Sequence, residues 1–225
     1  MAGLFITFEG GEGSGKTTQL QALRTHLRAT GRDAVETRDP GGTPVGKQIR
    51  SLLLDPAYGE TAAVTELFLY EASRAQLVQE VIRPALAAGR IVLCDRFTDS
   101  TVAYQGYGRG LDLDLIARLN ALAADGLRPD LTFLLDLEPE VGLTRAAQRV
   151  TLRPERPDRI EGEVLGFHQR VRAGYRAIAA AEPDRVVLLD AARGMAEIEE
   201  LVRRRMEAVL RASARPSASG ILTSG

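Results

Sequence analysis

Residues 10–17 read Gly-Gly-Glu-Gly-Ser-Gly-Lys-Thr and follow directly on an apolar run over residues 4–8. That is the G-x-x-x-x-G-K-[ST] spacing in the context it requires, with a strand before it and a helical pattern after it. Glycines let successive backbone N–H groups converge on a polyphosphate, and the helix that follows turns its positive dipole end toward the same point. Lys16 is the cation that reaches the β- and γ-phosphates, and Thr17 offers a hydroxyl to a magnesium ion. Gly10, Gly11, Glu12, Gly13, Ser14, Gly15, Lys16, Thr17 and Thr18 are therefore the candidate ATP-binding residues. A glycine-rich turn that binds nothing is the bland alternative, and the flanking strand and helix argue against it.

The rest of the chain alternates strand-like and helical patterns, which implies a parallel sheet covered by helices. Strands are expected over residues 4–8, 33–37, 91–94, 131–137 and 186–189. Helices are expected over 15–29, 45–54, 61–88, 100–105, 113–124, 140–148, 160–180 and 195–212, with Pro84 kinking or dividing the longest. The expectation is a P-loop NTPase-type three-layer α/β/α fold around a five-stranded parallel sheet. It forms one domain over residues 1–212, with a lid at about 145–159. Residues 213–225 are poor in bulky apolar side chains and read as a disordered tail.

The formal net charge of -1 argues against a dedicated nucleic-acid surface, although the chain carries 29 basic residues. No apolar stretch is long enough to span a membrane, and the N-terminus reads straight into a strand, so a cytoplasmic location is expected. The single cysteine, Cys94, lies in an apolar run and reads as an inert buried thiol.

In such sheets ligands bind beyond the carboxyl ends of the strands. Asp95 ends a strand where a magnesium-side carboxylate belongs; capping the next turn is its other reading. Asp136 has a similar setting and is assigned a structural part. Arg96 beside Asp95, Arg38 before an Asp-Pro-Gly-Gly turn, and Arg50 on the next helix flank one cleft and suit an anionic second substrate. Arg145, Arg149, Arg153, Arg156 and Arg159 follow in a segment interrupted by Pro154 and Pro157. They read either as a solvated charged loop or as a lid supplying the cation that the phosphate loop, which has no arginine, lacks. A hydroxyl acceptor needs a general base, whereas a phosphate monoester is already largely ionised at neutral pH. Many arginines and no evident base point to transfer from one phosphate to another, hence a monophosphate kinase.

The sequence resembles the bacterial thymidylate kinase family. The likeness rests on Phe8-Glu9-Gly10 through Lys16-Thr17-Thr18, Arg38-Asp39-Pro40-Gly41-Gly42-Thr43, Arg74-Ala75-Gln76-Leu77-Val78, Asp95-Arg96, Ala103-Tyr104-Gln105-Gly106, Gly108-Arg109-Gly110 and Asp158-Arg159-Ile160-Glu161. It covers nearly the whole chain except the tail, and implies ATP- and Mg²⁺-dependent phosphorylation of dTMP by a homodimer. The dTMP-binding residues it implies are Glu12, Arg38, Pro40, Arg50, Tyr70, Arg74, Arg96, Ser100, Thr101, Tyr104 and Gln105. Arg74 would donate to the thymine ring, and Tyr70, where the family usually has phenylalanine, would stack on it. Ser100, Thr101 and Gln105 would line the base pocket, and Tyr104 would lie against C2′. Glu12 would approach the 3′-hydroxyl, and Arg38 and Arg96 would hold the acceptor phosphate. The catalytic set is Lys16, Asp95, Arg96, Arg149 and Arg153, with Thr17 and Asp95 holding magnesium directly or through water. The loop after Asp190, including Arg193, is expected beside adenine. The turn reads Arg-Asp-Pro where the family commonly has Arg-Glu-Pro, and the lid is long and proline-rich. Two rival readings stand beside this one: a monophosphate kinase with another base pocket, and a nucleotide-driven ATPase switch. The N-K-x-D motif expected of a GTPase does not occur.

Overall fold

In the computed structural model, residues 3–151 and 158–213 are described, the side chains of 149–151 and 213 excepted. Five parallel strands, β1 (Leu4–Gly10), β2 (Ala34–Arg38), β3 (Ile91–Asp95), β4 (Leu131–Asp136) and β5 (Val186–Asp190), pair in the order β2-β3-β1-β4-β5. The order reverses at β1, so β1 lies at the centre and delivers its carboxyl end to the crevice where such sheets bind ligands. Phe5, Ile6 and Phe8 of β1, and Val92, Leu93 and Cys94 of β3, are almost wholly buried, as strands covered on both faces require.

Helix α1 (Lys16–Ala29) follows β1 across the cradle, and α2 (Pro44–Leu54) follows β2, capped by the Thr43 hydroxyl accepting from the Gly46 N–H. Helix α3 (Ala63–Leu77) runs into a π-helical segment, Val78–Ile82, and then α4 (Arg83–Ala87). Pro84 thus divides the long helix by a widened turn, which absorbs its missing N–H without breaking the rod. A second π-helical segment, Val102–Gly108, continues α5 (Thr98–Thr101), and α6 (Leu113–Ala123), α7 (Pro139–Thr151), α8 (Leu165–Ala181) and α9 (Met195–Ser213) complete the layers.

One helix begins later than its apolar pattern suggests. The expected start at residue 160 is replaced by a turn, and α8 begins at Leu165. The Asp158 carboxylate accepts from the backbone N–H groups of Ile160 (3.0 Å) and Glu161 (2.8 Å), closing that turn locally. Among the described residues, no helix is long and apolar enough to cross a membrane. Ser213, expected as the first residue of the tail, instead closes α9, and the rest of the expected tail, residues 214–225, lies outside the described residues.

Candidate functional site

The loop between β1 and α1 is held in shape by its own groups. Gly13 has φ +66°, and a Cβ there would stand 2.1 Å from the Gly142 carbonyl oxygen of α7, so only glycine fits. Lys16 donates to the carbonyls of Gly10 (3.0 Å) and Gly11 (2.7 Å), which curls the loop around the ammonium. Burial, with Arg96 nearby, brings its pKa down to about 8 against the opposing pull of Glu12 and Asp95. The Thr17 hydroxyl donates to Asp95 Oδ2 at 2.9 Å, so two hard oxygen ligands meet beside the cradle.

Two spaces open on this loop. An open cleft of about 1960 Å³ is lined by residues 12–19, Arg38, Asp95, Arg145, Gln148, Ala191, Arg193, Met195 and Ile198, among others. A pocket of about 510 Å³ is lined by Pro40, Leu54, Tyr70, Arg74, Ser100, Tyr104, Gln105 and Ile160. Glu12, Asp39, Arg50, Arg96 and Asp158 line both, forming a wall shared by the two spaces.

The wall is strongly charged and tightly tied. Arg96 donates to Glu12 Oε1 (2.7 Å), the Gly10 carbonyl (3.0 Å), the Tyr175 hydroxyl (3.0 Å) and Ser100 Oγ (3.3 Å), and its guanidinium lies 4.9 Å from the Tyr104 ring centroid. It does so from φ +70°, a left-handed backbone uncommon for a residue with a Cβ. The Tyr104 hydroxyl also donates to Glu12 Oε1, at 2.7 Å. Burial would raise the Glu12 pKa, but Arg96, Lys16 and the Tyr104 hydroxyl outweigh it and hold the carboxylate at about 2. Glu12 is therefore an anion throughout the neutral range.

Most sequence-derived site residues line these spaces, with several differences. Gly10 and Gly11 back onto a smaller cavity under the loop rather than the cleft. Arg38 is exposed and lines the cleft but not the pocket. Thr101 does not line the pocket; it stands behind Arg74 and accepts from Nη2 at 2.6 Å. Arg74 itself has all five N–H donors engaged, by Asp39 (2.7 Å), Glu71 (2.8 Å), Asn120 (2.5 Å), Thr101 and, most weakly, the Phe97 carbonyl at 3.4 Å. Gln105 donates its amide to buried Glu66 at 2.7 Å, which turns its carbonyl oxygen away from that carboxylate. Arg159 is buried and leaves the expected lid group: it donates to the Leu53 carbonyl (2.9 Å) and to Glu66 (2.5 Å), so it anchors the chain instead of facing the cleft. Asp136 is ion-paired with Arg172 and Arg176, each at 2.7 Å, in keeping with a structural part. Arg149 belongs to α7, its side chain outside the described residues, where Arg153 and Arg156 also lie.

Sequence reasoning passed over Glu9, Asp39, Asp158 and Tyr175. Glu9 is fully buried beneath the cradle, and burial together with the Asp99 charge pushes its pKa up to about 7. Asp39 and Asp158 stand inside motifs that the sequence displays openly. Tyr175 on α8 gives no such signal, because an aromatic at helical spacing reads as core.

Comparison with known proteins adds a separate line of information. A family model described as thymidylate kinase matches residues 8–202. The thymidylate kinase of Solidesulfovibrio magneticus is 57% identical over 201 residues, covering 88% of this chain and 96% of that protein. The thymidylate kinase of Deinococcus radiodurans is 54% identical over 197 residues, covering 88% and 93%. A crystal structure of thymidylate kinase from Ehrlichia chaffeensis superposes with a TM-score of 0.71 at 34% identity, covering 93% and 99%.

Proposed function

The chain belongs to the thymidylate kinase family, and from that premise we propose that it transfers the γ-phosphoryl group of ATP to dTMP, giving dTDP and ADP for dTTP synthesis. The observation that carries the reading is the shared wall of Glu12, Asp39, Arg50, Arg96 and Asp158 between a triphosphate cradle and a small-molecule pocket. Two anions entering from opposite sides meet there at Arg50 and Arg96, and little covalent chemistry is asked of the protein beyond positioning and charge neutralisation.

On the donor side, Lys16 and the backbone of residues 10–18 hold the triphosphate, while the cleft by Arg193 and Met195 is the adenine side. The Thr17 hydroxyl and the Asp95 carboxylate fit a magnesium ion, which when bound neutralises phosphate charge. The cation that meets the transferred phosphoryl comes from Arg149 or Arg153, since the phosphate loop contains no arginine.

On the acceptor side, Arg96, Arg50 and Arg38 hold the 5′-phosphate of dTMP. The phosphate arrives ionised and needs no base. Glu12, fixed as an anion, accepts from the 3′-hydroxyl, and the Tyr104 ring fills the space a ribose 2′-hydroxyl would need. Tyr70 stacks on the base. The Gln105 oxygen suits a ring N–H, and Arg74 receives a keto oxygen in place of its longest contact, to Phe97. Both features favour thymine over cytosine.

Val45 and Leu52 of α2, and Val64 and Phe68 of α3, are exposed apolar residues on two helices packed together, and they support a homodimer through this face. The reading places one kinase domain over residues 1–212 at work in the cytoplasm.

The test is a coupled assay of ADP release with a panel of monophosphates. Turnover is highest with dTMP and negligible without an acceptor. Equal rates with UMP or CMP would remove the base assignment, and ADP release without any acceptor would favour the ATPase switch.

A further inference from the structure

Glu9 lines neither the pocket nor the cleft and makes no hydrogen bond to Arg96, yet three of the groups that fix Arg96 end on its carboxylate. The Phe97 backbone N–H donates to Oε1 at 2.7 Å, pinning the residue that follows the left-handed Arg96. The Ser100 hydroxyl donates to Oε2 at 2.6 Å and the Tyr175 hydroxyl to the same oxygen at 2.9 Å. Both hydroxyls accept from Arg96 Nη1, at 3.3 and 3.0 Å.

A hydroxyl has one proton. Ser100 Oγ and the Tyr175 hydroxyl also lie 2.8 Å apart, where either could donate to the other. The Glu9 carboxylate, the stronger acceptor, draws both protons to itself and leaves the lone pairs of Ser100 and Tyr175 for the guanidinium. We infer that Glu9 is a positioning residue for Arg96, acting through Tyr175, Ser100 and the Phe97 N–H, and that it sets the direction of this hydrogen-bond relay. The inference rests on the reading that Arg96 holds the acceptor phosphate.

Glutamine at position 9 keeps an acceptor for Phe97 N–H but places an NH₂ group where Oε2 stood. The two hydroxyls then accept from that group, so their lone pairs compete with Arg96 and the guanidinium keeps only Glu12 and the Gly10 carbonyl as undisturbed partners. Tyr175→Phe removes one relay member while keeping the ring that packs against Tyr104 at 6.1 Å.

The experiment compares Glu9→Gln, Tyr175→Phe, Arg96→Met and the double variant Glu9→Gln/Arg96→Met at pH 8, where the Glu9 carboxyl is mostly ionised. Calorimetry gives the affinities for dTMP and for thymidine, which lacks the phosphate, and turnover gives kcat. Glu9→Gln is expected to lower kcat and dTMP affinity about tenfold each, with thymidine affinity unchanged, and to add nothing in the Arg96→Met background. Tyr175→Phe shows the same pattern in weaker form and carries the test if Glu9→Gln does not fold. Equal losses for dTMP and thymidine, or an undiminished Glu9→Gln effect without Arg96, overturn the inference. If Arg96→Met itself leaves the dTMP-to-thymidine affinity ratio unchanged, the phosphate-holding reading of Arg96 falls, and the inference falls with it.

Discussion

Replacing Lys16 by alanine is expected to lower kcat about 1,000-fold, a loss of about 4 kcal/mol of transition-state stabilisation. The fold should survive. Apart from a 3.4 Å approach to Ser14 Oγ, the ammonium bonds only the Gly10 and Gly11 carbonyls, so its removal leaves no buried anion unpaired, and the Gly10 carbonyl keeps its bond from Arg96. Its lowered pKa shows that the folded chain already works against burying this charge, which argues for a functional use over a stabilising one. Circular dichroism and the urea midpoint should match the parent chain while the coupled assay goes nearly silent. A variant with near-normal turnover would mean that the cradle serves some purpose other than phosphoryl transfer.

Arg74→Leu is expected to act on stability instead, with a loss of about 3–5 kcal/mol, because it strands two buried carboxylates. Asp39 and Glu71 are both buried, and burial already pushes both pKa values up against the opposing pull of Arg74. Arg74 stays charged because those same carboxylates outweigh its own burial. Without it, Asp39 and Glu71 bind protons more tightly folded than unfolded. The folded state then holds more protons, so the variant loses stability as pH rises from the unfolded carboxylate range upward. The gap to the parent chain should be largest at neutral pH and narrow toward pH 5 in urea titrations. Adding Asp39→Asn and Glu71→Gln should recover much of the loss. A loss below about 1 kcal/mol, independent of pH, would show that this network is not what holds the β2–α3 side of the pocket.

The contrast between these two cations marks where sequence reasoning reached and where it stopped. Lys16 was legible because its spacing to the glycines, after an apolar strand, admits few other uses. The five strands were legible for a related reason: short apolar runs between turn residues are what a sheet covered on both faces demands. Arg74 and Arg159 show the limit. A sequence displays a cation but not its partners, and burial decides whether it meets a ligand or a carboxylate such as Asp39 or Glu66. The false helix start at residue 160 arose from the same blindness, since the Asp158 carboxylate captured the N–H groups that an earlier turn of helix would have used. Glu9 and Tyr175 could not be paired by any spacing rule, being 166 residues apart and joined only through the tertiary fold.

The central claim is that donor and acceptor anions approach one wall from opposite sides. A single molecule holding both ends tests it most directly: adenosine and thymidine joined through their 5′ oxygens by five phosphates. Because the second contact becomes intramolecular, equilibrium titration should find it bound at least about 100-fold more tightly than ATP or dTMP alone, and each of those should displace it. Affinity no better than that of ATP, with dTMP still able to bind alongside, would contradict the account.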